Sequence, residues 1–143
     1  MNQITIIERE GDPRYDIAVD GKRLAEHFVG RNGAHPSEVA TIGWKHAAFS
    51  SAQDILQQLQ GLRDSGLKSG RVPILVCEEC GDLGCGTIAA RIKRMGTIVT
   101  WSDWAYENGY EPASNLDWPI KPSLFQFELA AYERALTIAA PSG

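Results

Sequence analysis

The order of apolar and polar positions along the chain predicts its elements. Residues 3–8 and 15–19 read as two short strands, with Gly11-Asp12-Pro13 as the turn between them and Asp20-Gly21 ending the second. Residues 23–29 fit a short helix. Residues 30–43, with their glycines, Asn32 and Pro36, read as an irregular loop. Ser50 or Ser51 is placed to cap a helix carrying Ile55, Leu56, Leu59 and Leu62 at three- and four-residue spacing, ending near Asp64 at Ser65-Gly66.

Residues 72–77 form a nearly pure apolar run, the pattern of a strand buried on both faces. Residues 87–94 alternate, residues 97–106 are rich in β-branched and aromatic side chains, and Met95-Gly96 between them predicts a hairpin. The three prolines between 108 and 122 predict a long surface connection. A short strand follows at 124–127. A helix then begins at Glu128, with Leu129, Tyr132, Ala135, Leu136 and Ala139 on one stripe. Hairpins outnumber βαβ crossovers in this order. The expected fold class is therefore α+β, an antiparallel or mixed sheet of five to six strands packed by two main helices.

A chain of 143 residues suits one domain spanning 1–143 and is long enough to bury roughly 68% of its unfolded surface. The N-terminal stretch MNQITIIEREGD lacks the basic and apolar regions of an export signal, and no apolar run approaches the roughly 20 residues that span a bilayer. A cytoplasmic protein without a membrane role is expected. The net charge of −4 argues against direct nucleic-acid binding, which needs a concentrated basic face, and points toward a basic protein partner.

The three cysteines fall within nine positions, as VCEECGDLGCG. The Cys77-x-x-Cys80-Gly spacing lets two thiolates converge on one ion as in a zinc knuckle, and Cys85 could add a third. Asp82, His27, His35 and His46 are the candidates for a fourth ligand. The plainer alternative is a structural turn with reduced thiols and no cofactor. A thioredoxin-type motif would open a helix, which Gly81, Gly84 and Gly86 oppose.

From Trp101 to Trp118 the chain carries Asp103, Glu107, Glu111 and Asp117 with no lysine or arginine, together with Trp101, Trp104, Tyr106, Tyr110 and Trp118. Broad rings with few rotors inside an acidic rim suit a protein that meets a basic partner. The expected partner-binding set is Trp101, Asp103, Trp104, Glu107, Tyr110, Glu111, Asp117 and Trp118. Strand alternation offers a competing account, in which either Trp104 and Tyr106, or else Trp101, fill the core.

The segments VCEECGDLGCG, VTWSDWAYENGYEP and FQFELAAYERAL resemble a family of small bacterial proteins with no characterised activity. The resemblance covers roughly the C-terminal half and implies a bacterial origin, without a catalytic residue or cofactor.

No GxSxG, HExxH, GxxxxGK[ST] or GxGxxG signature occurs. The leading expectation is a non-catalytic, cytoplasmic, immunity-type inhibitor that masks the cleft of a basic toxin domain such as a nuclease. The alternatives are a zinc-stabilised interaction module using Cys77, Cys80 and Cys85, and a thiol enzyme pairing one of these cysteines with His27, His35 or His46.

Overall fold

The computed structural model describes residues 1–29, 38–44, 51–77, 86–107 and 121–139. Among them run β1 (Ile4–Arg9), β2 (Asp12–Val19), β3 (Lys22–Arg23), a 3-10 turn at Leu24–His27, β4 (Glu38–Ala40), α1 (Ala52–Leu59), β5 (Val72–Cys77), β6 (Thr87–Met95), β7 (Ile98–Glu107), β8 (Leu124–Glu128) and α2 (Leu129–Leu136). The fold is α+β. Its strands form two antiparallel sheets, β1-β2-β3 and β4-β5-β6-β7-β8, in place of the single sheet expected. No helix among the described residues is long and apolar enough to cross a membrane.

Both expected hairpins form, although Asp12 and Pro13, expected in the first turn, belong to β2. Gly11 takes a positive φ of 69° at the β1–β2 turn, and Gly96 takes 62° at the β6–β7 turn. Ser51 caps α1, its hydroxyl accepting from the Asp54 amide at 3.1 Å. The helix is shorter than its apolar spacing suggested, because Gly61 adopts φ 76° just beyond it and leaves Leu62 exposed. β4 was not foreseen. It lies within the stretch read as an irregular loop and owes its pairing to the β5 edge, with Val39 opposite Val76 and Ala40 opposite Leu75.

Ile55 and Leu59 of α1, Tyr132 and Leu136 of α2, and Ile6 and Ile17 of the smaller sheet join buried residues of the five-stranded sheet in a single core. Trp101 lies at its centre and is fully buried. Its ring meets Trp104, Phe125, Phe127 and Tyr132 edge-on, with centroids 5.0 to 6.4 Å apart. The indole Nε1 donates to the Tyr132 hydroxyl at 3.1 Å, and that hydroxyl donates in turn to the Leu59 carbonyl. One buried phenol thus joins β7, α2 and the end of α1.

The two sheets also meet at an edge. Asn2 donates its amide to the Gln126 carbonyl at 2.8 Å, and its side-chain oxygen accepts from the Gln126 amide at 2.8 Å. This occupies polar groups that the outer strand β8 would otherwise offer to another chain.

Replacing Tyr132 by Phe should cost about 1–3 kcal/mol for each of the two buried groups it orphans, the Trp101 N–H and the Leu59 carbonyl. Burial pushes the Tyr132 phenol well above its ordinary value. An unfolded tyrosine ionises near pH ~10, so this stability is complete below that pH and declines above it, toward the raised native value. Urea unfolding across the alkaline range should show the wild-type advantage over Tyr132→Phe shrinking above pH ~10. A constant difference would contradict the assignment.

Candidate functional site

The β6–β7 ladder decides what residues 101–107 present to solvent. Arg91 stands opposite Ser102 and Ala89 opposite Ala105, so Asp103 and Trp104 together face the single residue Ala90. That is a bulge, and Asp103 occupies it in the left-handed region at φ 56°, a conformation aspartate tolerates better than most side chains. The inserted residue resets the alternation. Trp101 and Trp104, three apart and bound for opposite faces of a regular strand, both enter the core. Neither indole is available as a partner-facing ring, which corrects the expectation for both. The Trp104 Nε1 group is buried with no acceptor among the described residues.

The two acids of β7 are not free either. Glu107 is only 7% exposed, and its carboxylate accepts from the Ser69 hydroxyl at 2.9 Å to each oxygen and from Arg71 at 3.4 Å. Asp103 remains at the surface. It pairs with Arg91 at 2.6 Å and Arg71 at 3.0 Å, while Arg71 Nε also donates to its backbone carbonyl at 2.7 Å. The side-chain bond from Arg91 and then that from Arg71 hold the Asp103 carboxyl below its usual range. The absence of basic residues between 101 and 118 therefore does not leave these acids unneutralised. Their counter-ions come from the residue before β5 and from β6. Ser69, Arg71 and Arg91 had no local signal in the sequence, because only strand register brings them to β7.

Tyr110, Glu111, Asp117 and Trp118 lie outside the described residues, as do Cys80, Cys85, His35 and His46. Cys77 is the half-buried last residue of β5. His27 lies in the 3-10 turn with Nε2 3.1 Å from the Val19 carbonyl, and its ring packs edge-on against Phe125 of β8 at 5.3 Å. β8 and β5 are three strands apart, about 14 Å at the usual spacing, so His27 does not pair with Cys77. Among the described residues no group of three or more His, Cys, Asp or Glu side chains is arranged to hold a metal.

What the topology does bring together is a set of chain ends. Val76 pairs with Thr87, Thr87 with Glu107, and Glu38 with Cys77. The start of β4, the end of β5, the start of β6 and the end of β7 therefore share one end of the five-stranded sheet. Gly86 is fixed there at φ 95°, with the Tyr106 phenol lying where a β-carbon would project. Connections 78–85 and 108–120 both leave from this end. Between them they carry five acids, Glu78, Glu79, Asp82, Glu111 and Asp117, and no lysine or arginine, an excess larger than the −4 of the whole chain.

Glu107→Lys should behave as a folding defect, losing about 3–5 kcal/mol in denaturant unfolding, because it puts a cation at a buried position beside the half-buried Arg71 and removes one of that residue's two carboxylate partners. Asp103→Asn retains the left-handed tolerance, and with a surface pair at stake its cost should stay below about 1 kcal/mol. A carboxyl held below its ordinary value contributes above the unfolded pKa, near ~3.9, and loses that contribution as pH falls further. The wild-type and Asp103→Asn urea midpoints should accordingly converge below pH ~4.

No family model matches the chain, no curated protein does, and neither does any solved structure.

Proposed function

We propose that this is a non-catalytic protein-binding protein, an immunity-type inhibitor that masks the cleft of a basic toxin domain. Its binding surface is the end of the five-stranded sheet from which connections 78–85 and 108–120 leave. The supporting observation is the register that aligns Val76, Thr87 and Glu107, so that the connections following Cys77 and Glu107 start from adjacent strand ends. Carboxylates gathered at one end of a domain raise the encounter rate with a cationic surface and reject nucleic acid.

The composition of the two connections supports the same reading. Tyr110 and Trp118 supply large contact areas with few rotors to freeze, in place of Trp101 and Trp104, which serve the core. Asp103 and Glu107 contribute little net field because Arg71 and Arg91 balance them. The anionic contacts therefore fall to Glu78, Glu79, Asp82, Glu111 and Asp117. The cytoplasm is the proposed setting, where thiols such as Cys77 remain reduced.

The test is association kinetics with a basic toxin domain whose killing the chain prevents on co-expression. Paired reversal of Glu111 and Asp117 to lysine should slow association about tenfold or more at low salt and flatten its salt dependence, with the unfolding midpoint unchanged. Paired reversal of the exposed Glu8 and Glu10 to lysine, which changes the net charge by the same amount, serves as the control. Equal slowing by the control, or no slowing by the paired variant, would reject this surface. Failure to protect against any basic toxin would reject the function.

A further inference from the structure

We propose that Asp20 and Asn2 form a latch that keeps the outer edge of β8 closed, and that the edge so covered is a strand-pairing site for β8 of a second copy of this chain. The inference does not rest on the inhibitor reading.

Backbone parity sets what β8 offers. The Leu129 amide donates to the Thr97 carbonyl at 2.8 Å, in step with Phe127 opposite Val99 and Phe125 opposite Trp101, so these odd-numbered residues bond inward to β7. Leu124, Gln126 and Glu128 therefore turn their backbone N–H groups away from the sheet. Gln126 is covered by Asn2, whose amide donates to its carbonyl and whose side-chain oxygen accepts from its amide, both at 2.8 Å. Leu124 beside it is exposed.

Polar contacts hold residues 1–3 in this position. Asp20 and Gly21 make the two-residue turn between β2 and β3, at φ 55° and 80°, which aspartate accepts in such turns. The turn aims the Asp20 carboxylate at the segment before β1. One oxygen accepts from the Gln3 amide at 2.8 Å and the other from the Asn2 side-chain nitrogen at 2.7 Å, while the Asp20 amide donates to the Gln3 carbonyl at 2.8 Å. The Asn2 side chain thus joins the latch to the edge, its nitrogen bonded to Asp20 and its oxygen to β8. Apolar packing adds little. Met1 is exposed, and a cavity of about 310 Å³ lies between residues 1–5 and the junction of β8 with α2.

The edge is self-complementary once uncovered. Two β8 strands set antiparallel about Gln126 let that residue exchange both outward backbone groups with its counterpart, and Leu124 of each copy falls opposite Glu128 of the other. The two Glu128 carboxylates then stand about 14 Å apart along the strands, at ~3.4 Å per residue, so no like charges oppose. Pairing of this kind extends one five-stranded sheet into another by main-chain hydrogen bonds.

The experiment uses the full chain with two readouts, amide hydrogen exchange followed by NMR and mass by sedimentation velocity. Asn2→Asp sets a second carboxylate against Asp20. It should speed exchange of the Gln126 amide by about tenfold or more through local opening, and shift the chain toward pairs. Adding Asp20→Asn keeps the turn and restores a donor facing an acceptor, so the double variant should return to wild-type exchange and mass. Adding Gln126→Pro to Asn2→Asp removes an outward N–H, leaves the ladder to β7 intact and should abolish pairing. Protection of the Val99 and Trp101 amides should stay constant throughout. Unchanged Gln126 exchange in Asn2→Asp, no recovery in the double variant, or loss of protection at Val99 and Trp101 as well would overturn the latch. Equal mass for wild type and Asn2→Asp, or pairing that survives Gln126→Pro, would overturn the strand-pairing site.

Discussion

A strand can send residues three apart to the same face only if its alternation is interrupted between them, and the core of this protein depends on such an interruption. Asp103 supplies the extra residue opposite Ala90, in a conformation that most side chains avoid. Trp101 and Trp104 are both turned inward as a result, and around Trp101 the aromatic rings of β8 and α2 assemble. The Tyr132 hydroxyl then ties that cluster to the end of α1. Without the bulge one of the two indoles would face solvent, and the edge contact between them would be lost.

The same bulge organises the electrostatics of the opposite face. Arg71 reaches both the backbone carbonyl and the carboxylate of Asp103 and also the carboxylate of Glu107, so a single guanidinium secures the bulge and the exit of β7. Guanidinium geometry suits this task, with several donors held in one plane. The acids on β7 are thereby spent on structure. The negative charge that distinguishes the chain resides in the connections that leave the sheet beyond them.

Antiparallel topology makes that end a gathering point. Each hairpin returns the chain to a row it has already passed, so segments far apart in sequence begin from adjacent residues. The two acid-rich connections both leave beside the row containing Val76, Thr87 and Glu107.

Periodicity was enough for the hairpins, the apolar β5 strand and the C-terminal helix, and it narrowed the α1 cap to Ser50 or Ser51, since each is specified by neighbours within a few residues. It located the acids and rings of 101–118 as well, and it left open which face of the strand was buried. That question turned on Asp103, whose bulge forms only against Ala90 across the ladder. The ion pairs of Asp103 and Glu107 were equally out of reach, because Arg71 and Arg91 are more than ten residues away in sequence. β4 was illegible because its strand character comes from the edge of β5 and not from its own residues. Local order is set by short-range steric and apolar spacing, which a sequence displays directly. Register, charge pairing and the meeting of chain ends come from contacts between distant segments, and these exist only once the sheet has formed.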